Sequence, residues 1–292
     1  MRSFYGGGRR RSYFEGWYFK QQSATQTVAL IPAFHIDGSG RPSASLQVVT
    51  DMGSWHAEFP AEAFAADSRR TVIRVGDSVF SHRGCSLNLR TPELSVWGEL
   101  RYGPFMPPAG DIMGPFRLVP FLECRHSVLS LCHAVSGELT VNGTAVAFDR
   151  GKGYLEGDRG SSFPSRYVWT QCLRGADSVM LSAARIPFCG RTFTGCIGFV
   201  YTGGREWRIA TYRGAKLLDV HNRGVTVRQG ELTLRAELLN GSPRMLRAPR
   251  NGDMARLIRE SPACRVRYTF TAGEKLLLDF ISEQAGFEDN WS

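Results

Sequence analysis

Helical periodicity is nearly absent from this chain. Of its 292 residues, only Asp253 to Glu260 spaces apolar side chains (Met254, Leu257, Ile258) as an amphipathic helix does. That sparseness excludes a helical fold. No run of about 18 or more apolar residues occurs, so no membrane-crossing helix is expected. No segment near the start joins a basic run, an apolar stretch and a small-residue cleavage site, and the expectation is a cytoplasmic protein. The seven cysteines are odd in number and show no C-x-x-C spacing, which argues against both a zinc site and a disulfide framework. There is no phosphate-binding G-x-x-x-x-G-K-[ST] loop and no G-x-S-x-G nucleophile elbow. No nucleic-acid motif and no low-complexity tract occurs.

What is present is charge, aromatic residues and strand pattern. The formal net charge is +9, and 18 Phe, 9 Tyr and 6 Trp supply the rings. A basic surface suits acidic ligands or peripheral contact with an anionic membrane. The arginines are spread along the chain apart from Arg9-Arg10-Arg11, and nucleic acid is not expected as a partner. The length suits two domains, with a boundary near Asp149 to Gly153, hence 1–150 and 151–292.

Period-two patterns dominate: Gln26 to Ile36, Ser43 to Thr50, Leu94 to Tyr102 and Val128 to Ala134 in the first half, and Arg166 to Leu173, Ser178 to Ile186, Cys264 to Thr271 and Lys275 to Ser282 in the second. Asn142-Gly143 between Glu138–Val141 and Thr144–Phe148 marks a hairpin. Many short strands indicate antiparallel barrels or sandwiches, with one short helix near 253–260. The proline-stiffened apolar stretch Gly103 to Pro120 is a loop of the kind that lines or lids a cavity; a plain connection is the alternative.

One phrase repeats. Tyr13-Phe14-Glu15-Gly16 and Tyr154-Leu155-Glu156-Gly157 each precede an aromatic strand carrying glutamine, Trp17 to Gln21 and Tyr167 to Gln171. Duplication is the first reading. These same stretches carry a resemblance. Phe14-Glu15-Gly16-Trp17-Tyr18-Phe19-Lys20 resembles the opening phrase of the tocopherol cyclase family. Glu156-Gly157-Asp158-Arg159-Gly160, then Phe163-Pro164, then Trp169-Thr170-Gln171-Cys172 resembles a second phrase of that family, departing from it at Gly157, Asp158 and Arg159. Met113-Gly114-Pro115-Phe116 to Gly137 is similar to bacterial members.

The resemblance implies two lipocalin-like β-domains, an architecture shared with carotenoid hydratases. It implies cyclisation of a prenylated quinol: the tail alkene is protonated and the phenol oxygen closes on the tertiary cation. Such chemistry needs a carboxyl kept neutral by an apolar setting, aromatic faces for the cation and exclusion of water.

Glu15, Glu156 and Asp158 are the candidate acids. Trp17, Tyr18, Tyr167 and Trp169 are candidates for the pocket wall, and Arg159 and Gln171 for orienting a polar head. His133 is a candidate acid or orienting donor. Each has a plainer alternative. Glu15 suits an arginine-paired buried carboxylate, and Asp158 and Arg159 an exposed salt-bridged turn. The tryptophans suit core, and His133 a satisfied core histidine. Gln171, inward on an aromatic strand, either bonds a ligand or caps a core group. His126 and His133 are an odd number of residues apart, which puts them on opposite faces of a continuous strand and argues against a shared metal. No metal or organic cofactor is expected. The expected ligand is a hydrophobic small molecule, and the rival to an enzyme is a non-catalytic carrier.

Overall fold

The structure, a computed structural model, describes residues 4–67, 72–120, 122–188 and 190–291. Among these no α-helix occurs, and the strands form two antiparallel sheets. The six described cysteines are thiols; Cys189 lies outside the described residues. The chain divides into two compact units. Unit 1 is 1–107, 126–163 and 246–257, and unit 2 is 108–125, 164–245 and 258–292.

The first sheet is built from β1 (Tyr13–Gln22), β2 (Thr27–Ile36), β3 (Pro42–Thr50), β4 (Ser54–Pro60), β5 (Phe64–Asp67), β6 (Val72–Val75), β7 (Ser78–Ser81), β8 (Gly84–Arg90), β9 (Ser95–Tyr102), β10 (Cys124–Val141), β11 (Thr144–Ala147) and β12 (Gly151–Gly160). Its order is β4-β3-β2-β1-β12-β10-β9-β8-β7-β6-β5, with β11 beside β10. The sheet curls until its two ends meet. Phe34 of β2 packs on Phe64 of β5 with ring centroids 5.0 Å apart, and Phe4 touches both. The enclosed core includes Trp17, Phe19, Leu30, Leu46, Phe80 and Leu139. Truncating such a residue to alanine costs about 2–5 kcal/mol.

The second sheet is built from β13 (Tyr167–Arg174), β14 (Asp177–Phe188), β15 (Arg191–Thr202), β16 (Arg205–Ala210), β17 (Lys216–His221), β18 (Gly224–Gln229), β19 (Leu232–Asn240), β20 (Arg244–Arg250), β21 (Asp253–Ala272) and β22 (Lys275–Asn290). Its order is β16-β15-β14-β13-β22-β21-β19-β18-β17, with β20 on β21. Val168, Val200, Val227, Tyr268, Phe270 and Phe287 lie in its core. The two sheets share a plan. In each, the first strand is flanked by the second strand and by the last, β1 by β2 and β12, β13 by β14 and β22. These are the two lipocalin-like β-domains expected from the sequence.

Two expectations are corrected. The units do not part at residue 150. β12 follows that point and belongs to unit 1, because it forms a continuous ladder with β1 from Phe14↔Gly160 to Gln22↔Lys152. Residues 246–257 also belong to unit 1. The Gln47 amide accepts from Arg247 N (2.9 Å) and donates to Arg247 O (3.0 Å), as a neighbouring strand would. The second correction is the helix at 253–260, which is the start of β21. Burial there alternates with period two, and Leu257 is 58% exposed while Ile258 is buried. The Asn251-Gly252 turn, with both φ values positive (52° and 81°), sends the chain back as a hairpin. Over eight residues, helical and strand periods are too alike to separate.

Other expectations hold. Asn142 (φ 48°) and Gly143 (φ 82°) make the predicted tight turn between Val141 and Thr144. The apolar loop is fastened by backbone bonds on both sides of the break between units. Met106 accepts from Leu131 N (2.7 Å) in unit 1. In unit 2 the Arg208 guanidinium donates to Asp111 O (2.9 Å) and Gly110 O (3.1 Å).

Candidate active site

The two Tyr-X-Glu-Gly phrases lie side by side. They sit in β1 and β12, paired antiparallel with Trp17 opposite Gly157 and Tyr18 opposite Glu156. Cross-strand partners share a face and neighbours along a strand alternate. The two phrases are therefore out of phase, and their glutamates leave opposite faces of one ribbon. Glu15, Trp17 and Phe19 turn to the unit 1 core, with Arg159 opposite Glu15; Tyr18 and Lys20 turn away from it, beside Tyr154, Glu156 and Asp158. In both phrases the tyrosine hydroxyl donates to the glutamate two residues on, at 2.7 Å for Tyr13–Glu15 and 2.6 Å for Tyr154–Glu156.

On the Glu156 face, β10 adds His126. Its Nδ1 is 2.9 Å from Asp158 Oδ1. Its Nε2 lies 3.3 Å from Glu156 Oε2 without the alignment of a hydrogen bond. The donor atoms of His126, Glu156 and Asp158 all fall within 4.8 Å of one another. Burial favours the neutral imidazole, but the carboxylates of Asp158 and Glu156 outweigh it and hold the His126 pKa well above its ordinary value. Lys20, fully buried, lies opposite Tyr154 on the same face. One imidazole and two carboxylates would also suit a divalent cation. An imidazolium at His126 supplies positive charge between the two carboxylates. Asp158 is the most open of the three, its side chain 19% exposed against 6% for Glu156.

The Glu15 face is different. Glu15 accepts from the Tyr13 hydroxyl and from Tyr5 N (2.8 Å). Burial lifts its pKa above the ordinary carboxylate value, although those donors and the Arg159 charge pull the other way. The Arg159 guanidinium stacks over the Tyr5 ring at 4.0 Å and donates to Ser127 Oγ at 3.4 Å. Trp17 is built into the core. His133 joins this side. A Cβ on Gly153, which pairs with Gln21, would lie 2.3 Å from its Nε2. Its Nδ1 meets Ser130 Oγ at 3.0 Å, its ring packs on Phe105 and Tyr102, and burial lowers its pKa to about 4. His126 and His133 therefore occupy opposite faces.

Tyr167, Trp169 and Gln171 lie in unit 2 on one face of β13. It is the face away from the core, because Val168 and Cys172 are core residues. The Tyr167 hydroxyl donates to Glu288. The Gln171 amide is fully buried and neither of its polar atoms has a hydrogen-bond partner.

Of the candidate acids, Glu156 and Asp158 are brought together and Glu15 is set apart from them. Of the other candidates in unit 1, Tyr18 shares their face, while Arg159, Trp17 and His133 face the core. His126 and Tyr154 are not among the candidate acids and pocket residues named from the sequence. Period two along β12 unites Tyr154, Glu156 and Asp158, but nothing local says that β10 lies alongside.

No family model and no curated protein matches the chain. Solved structures match it in fold. CghA is 11% identical, with a TM-score of 0.60 over 96% of this chain and 88% of that one. A putative AttH from Nitrosomonas europaea is 11% identical, with a TM-score of 0.59 over 97% and 93%. Kievitone hydratase from Nectria haematococca is 9% identical, with a TM-score of 0.55 over 96% and 89%. At such identity the likeness is one of fold: this chain has the two-domain β architecture of these proteins.

Proposed function

We propose that this chain is an enzyme that adds a hydroxyl O–H across a carbon–carbon double bond of a hydrophobic small molecule. The His126–Glu156–Asp158 group is the acid–base centre. The observation that carries the reading is the convergence of these three side chains, largely buried, on a face that also presents Tyr18 and Tyr154. A proton held by the group passes to the alkene, and a hydroxyl oxygen bonds to the cation that results. The proton that the hydroxyl loses returns to the group, so the centre is regenerated without a cofactor. Tyr154 fixes Glu156 through its hydrogen bond, and the Tyr18 ring offers a π-face to the cation.

Kievitone hydratase is by name an enzyme of addition, and CghA has been solved with the small molecule Sch210972. Both fit this reading. The finer form is intramolecular. The tocopherol cyclase phrases around Glu15 and Glu156 point to a prenylated quinol, whose own phenol oxygen closes the ring.

The test is incubation of the purified chain with prenylated hydroquinones in deuterium oxide. One deuterium on carbon per chromanol formed is expected, unaffected by a chelator. Deuterated tertiary alcohol instead of chromanol would keep the acid–base centre and replace ring closure by hydration. Absence of turnover, together with a lipid that co-purifies in stoichiometric amount, would overturn catalysis in favour of a carrier.

A further inference from the structure

Unit 2 carries a polar group that the proposed reaction does not use. Gln171 lies at the middle of β13, between Met180 of β14 and Gly286 of β22. It is fully buried, and both Oε1 and Nε2 lack a hydrogen-bond partner. Burying an amide with neither atom satisfied is unfavourable, and native proteins do it rarely. A leucine of similar size would fill the position without that cost. The partner of Gln171 on β22, Gly286, brings no side chain that could satisfy the amide. Two residues away on the same face stands Trp169, and opposite Trp169 stands Glu288, itself opposite Glu260.

We infer that Gln171 is the anchor of a small-molecule site in unit 2, and that the group it takes is a neutral primary carboxamide or an unsubstituted lactam. Such a group presents N–H and C=O side by side, and it answers both atoms of the glutamine with two parallel hydrogen bonds. A carboxylate would answer only Nε2 and would meet Glu288 and Glu260 on the same face. An ammonium would suit those carboxylates but leave Nε2 unanswered. The Trp169 indole supplies the apolar wall for the rest of the molecule. The inference does not rest on the acid–base centre of unit 1.

The test uses the full chain and three probes: 4-phenylbutanamide, its N,N-dimethyl derivative, and 4-phenylbutyrate. Calorimetry is expected to show binding of the first probe, weaker by about tenfold or more for the other two, since each loses one of the paired bonds. Gln171→Leu should abolish that preference. It should also raise the melting temperature of the ligand-free chain by about 2–4 °C, because an unsatisfied amide is removed. In the wild type, the side-chain NH2 resonances of Gln171 should move on adding the amide, a readout that survives even if the variant does not fold. Equal binding of all three probes, tighter binding of the carboxylate, or stationary Gln171 resonances would overturn the site. So would a lowered melting temperature in Gln171→Leu, since that would show the amide to be satisfied within the fold.

Discussion

The two Tyr–Glu pairs of unit 1 share a hydrogen bond of nearly the same length and little else. Tyr13–Glu15 faces the core, where the Tyr5 backbone meets the carboxyl and burial raises its pKa. Tyr154–Glu156 faces away, where His126 and Asp158 converge. The histidines follow the same division. His133, on the core side, has its pKa lowered to about 4 by burial, whereas His126 has its own raised by two carboxylates. A short motif thus fixes a local bond, and the face it occupies decides whether its glutamate meets the core or a histidine and a second carboxyl.

The largest effect should come from the chemistry. Asp158→Asn and Glu156→Gln are expected to lower deuterium-traced turnover by about a hundredfold or more, the usual scale of a lost proton-transfer group. Glu15→Gln should keep most of the turnover. If Glu15→Gln is the inactive variant, the two faces have been assigned the wrong way round.

The next contrast is in stability against pH. A histidine held neutral in the fold contributes stability above its unfolded pKa, and that contribution is lost as pH falls. For His133 the window runs from 6.5 down to about 4, worth on the order of 3 kcal/mol. His126 has the opposite sign: its contribution is present below 6.5 and lost as pH rises through its elevated pKa. Chemical denaturation across pH should therefore show His133→Phe flattening the acid limb and His126→Gln the alkaline limb. Identical profiles for the two variants would break the comparison.

A smaller difference should separate the tyrosines. Tyr13→Phe removes a donor to a buried carboxyl, and a loss of about 1–3 kcal/mol in unfolding free energy is expected, with turnover largely kept. Tyr154→Phe should lower turnover by more than its effect on stability would explain. Gly153→Ala gives the finest probe of the core side. Its Cβ would lie 2.3 Å from His133 Nε2, and a destabilisation of about 1–3 kcal/mol follows from overpacking. Replacing His133 by alanine in the same chain should relieve it.

Much of this was legible in the sequence. Period-two patterning announced the strands, and Asn142-Gly143 announced its hairpin, because side-chain alternation and positive φ are local properties. The opposed faces of His126 and His133 followed from alternation as well, whereas Gln171, expected inward, is buried on the face of β13 away from the core. The segment after Gly252 did not, since its eight residues fit either period until β20 and β21 pair as a hairpin. The joining of His126 to Asp158 was equally hidden. They lie 32 residues apart on different strands, and only the pairing of β10 with β12 brings them together.

The sequence by itself determined the class of fold, because side-chain alternation and turn residues are local properties, and its length indicated two domains. The tertiary structure decided that the two motif copies are neighbours instead of counterparts in separate domains. It also decided that their glutamates point opposite ways. Antiparallel register causes this: a shift of one residue between β1 and β12 would bring both glutamates to a single face.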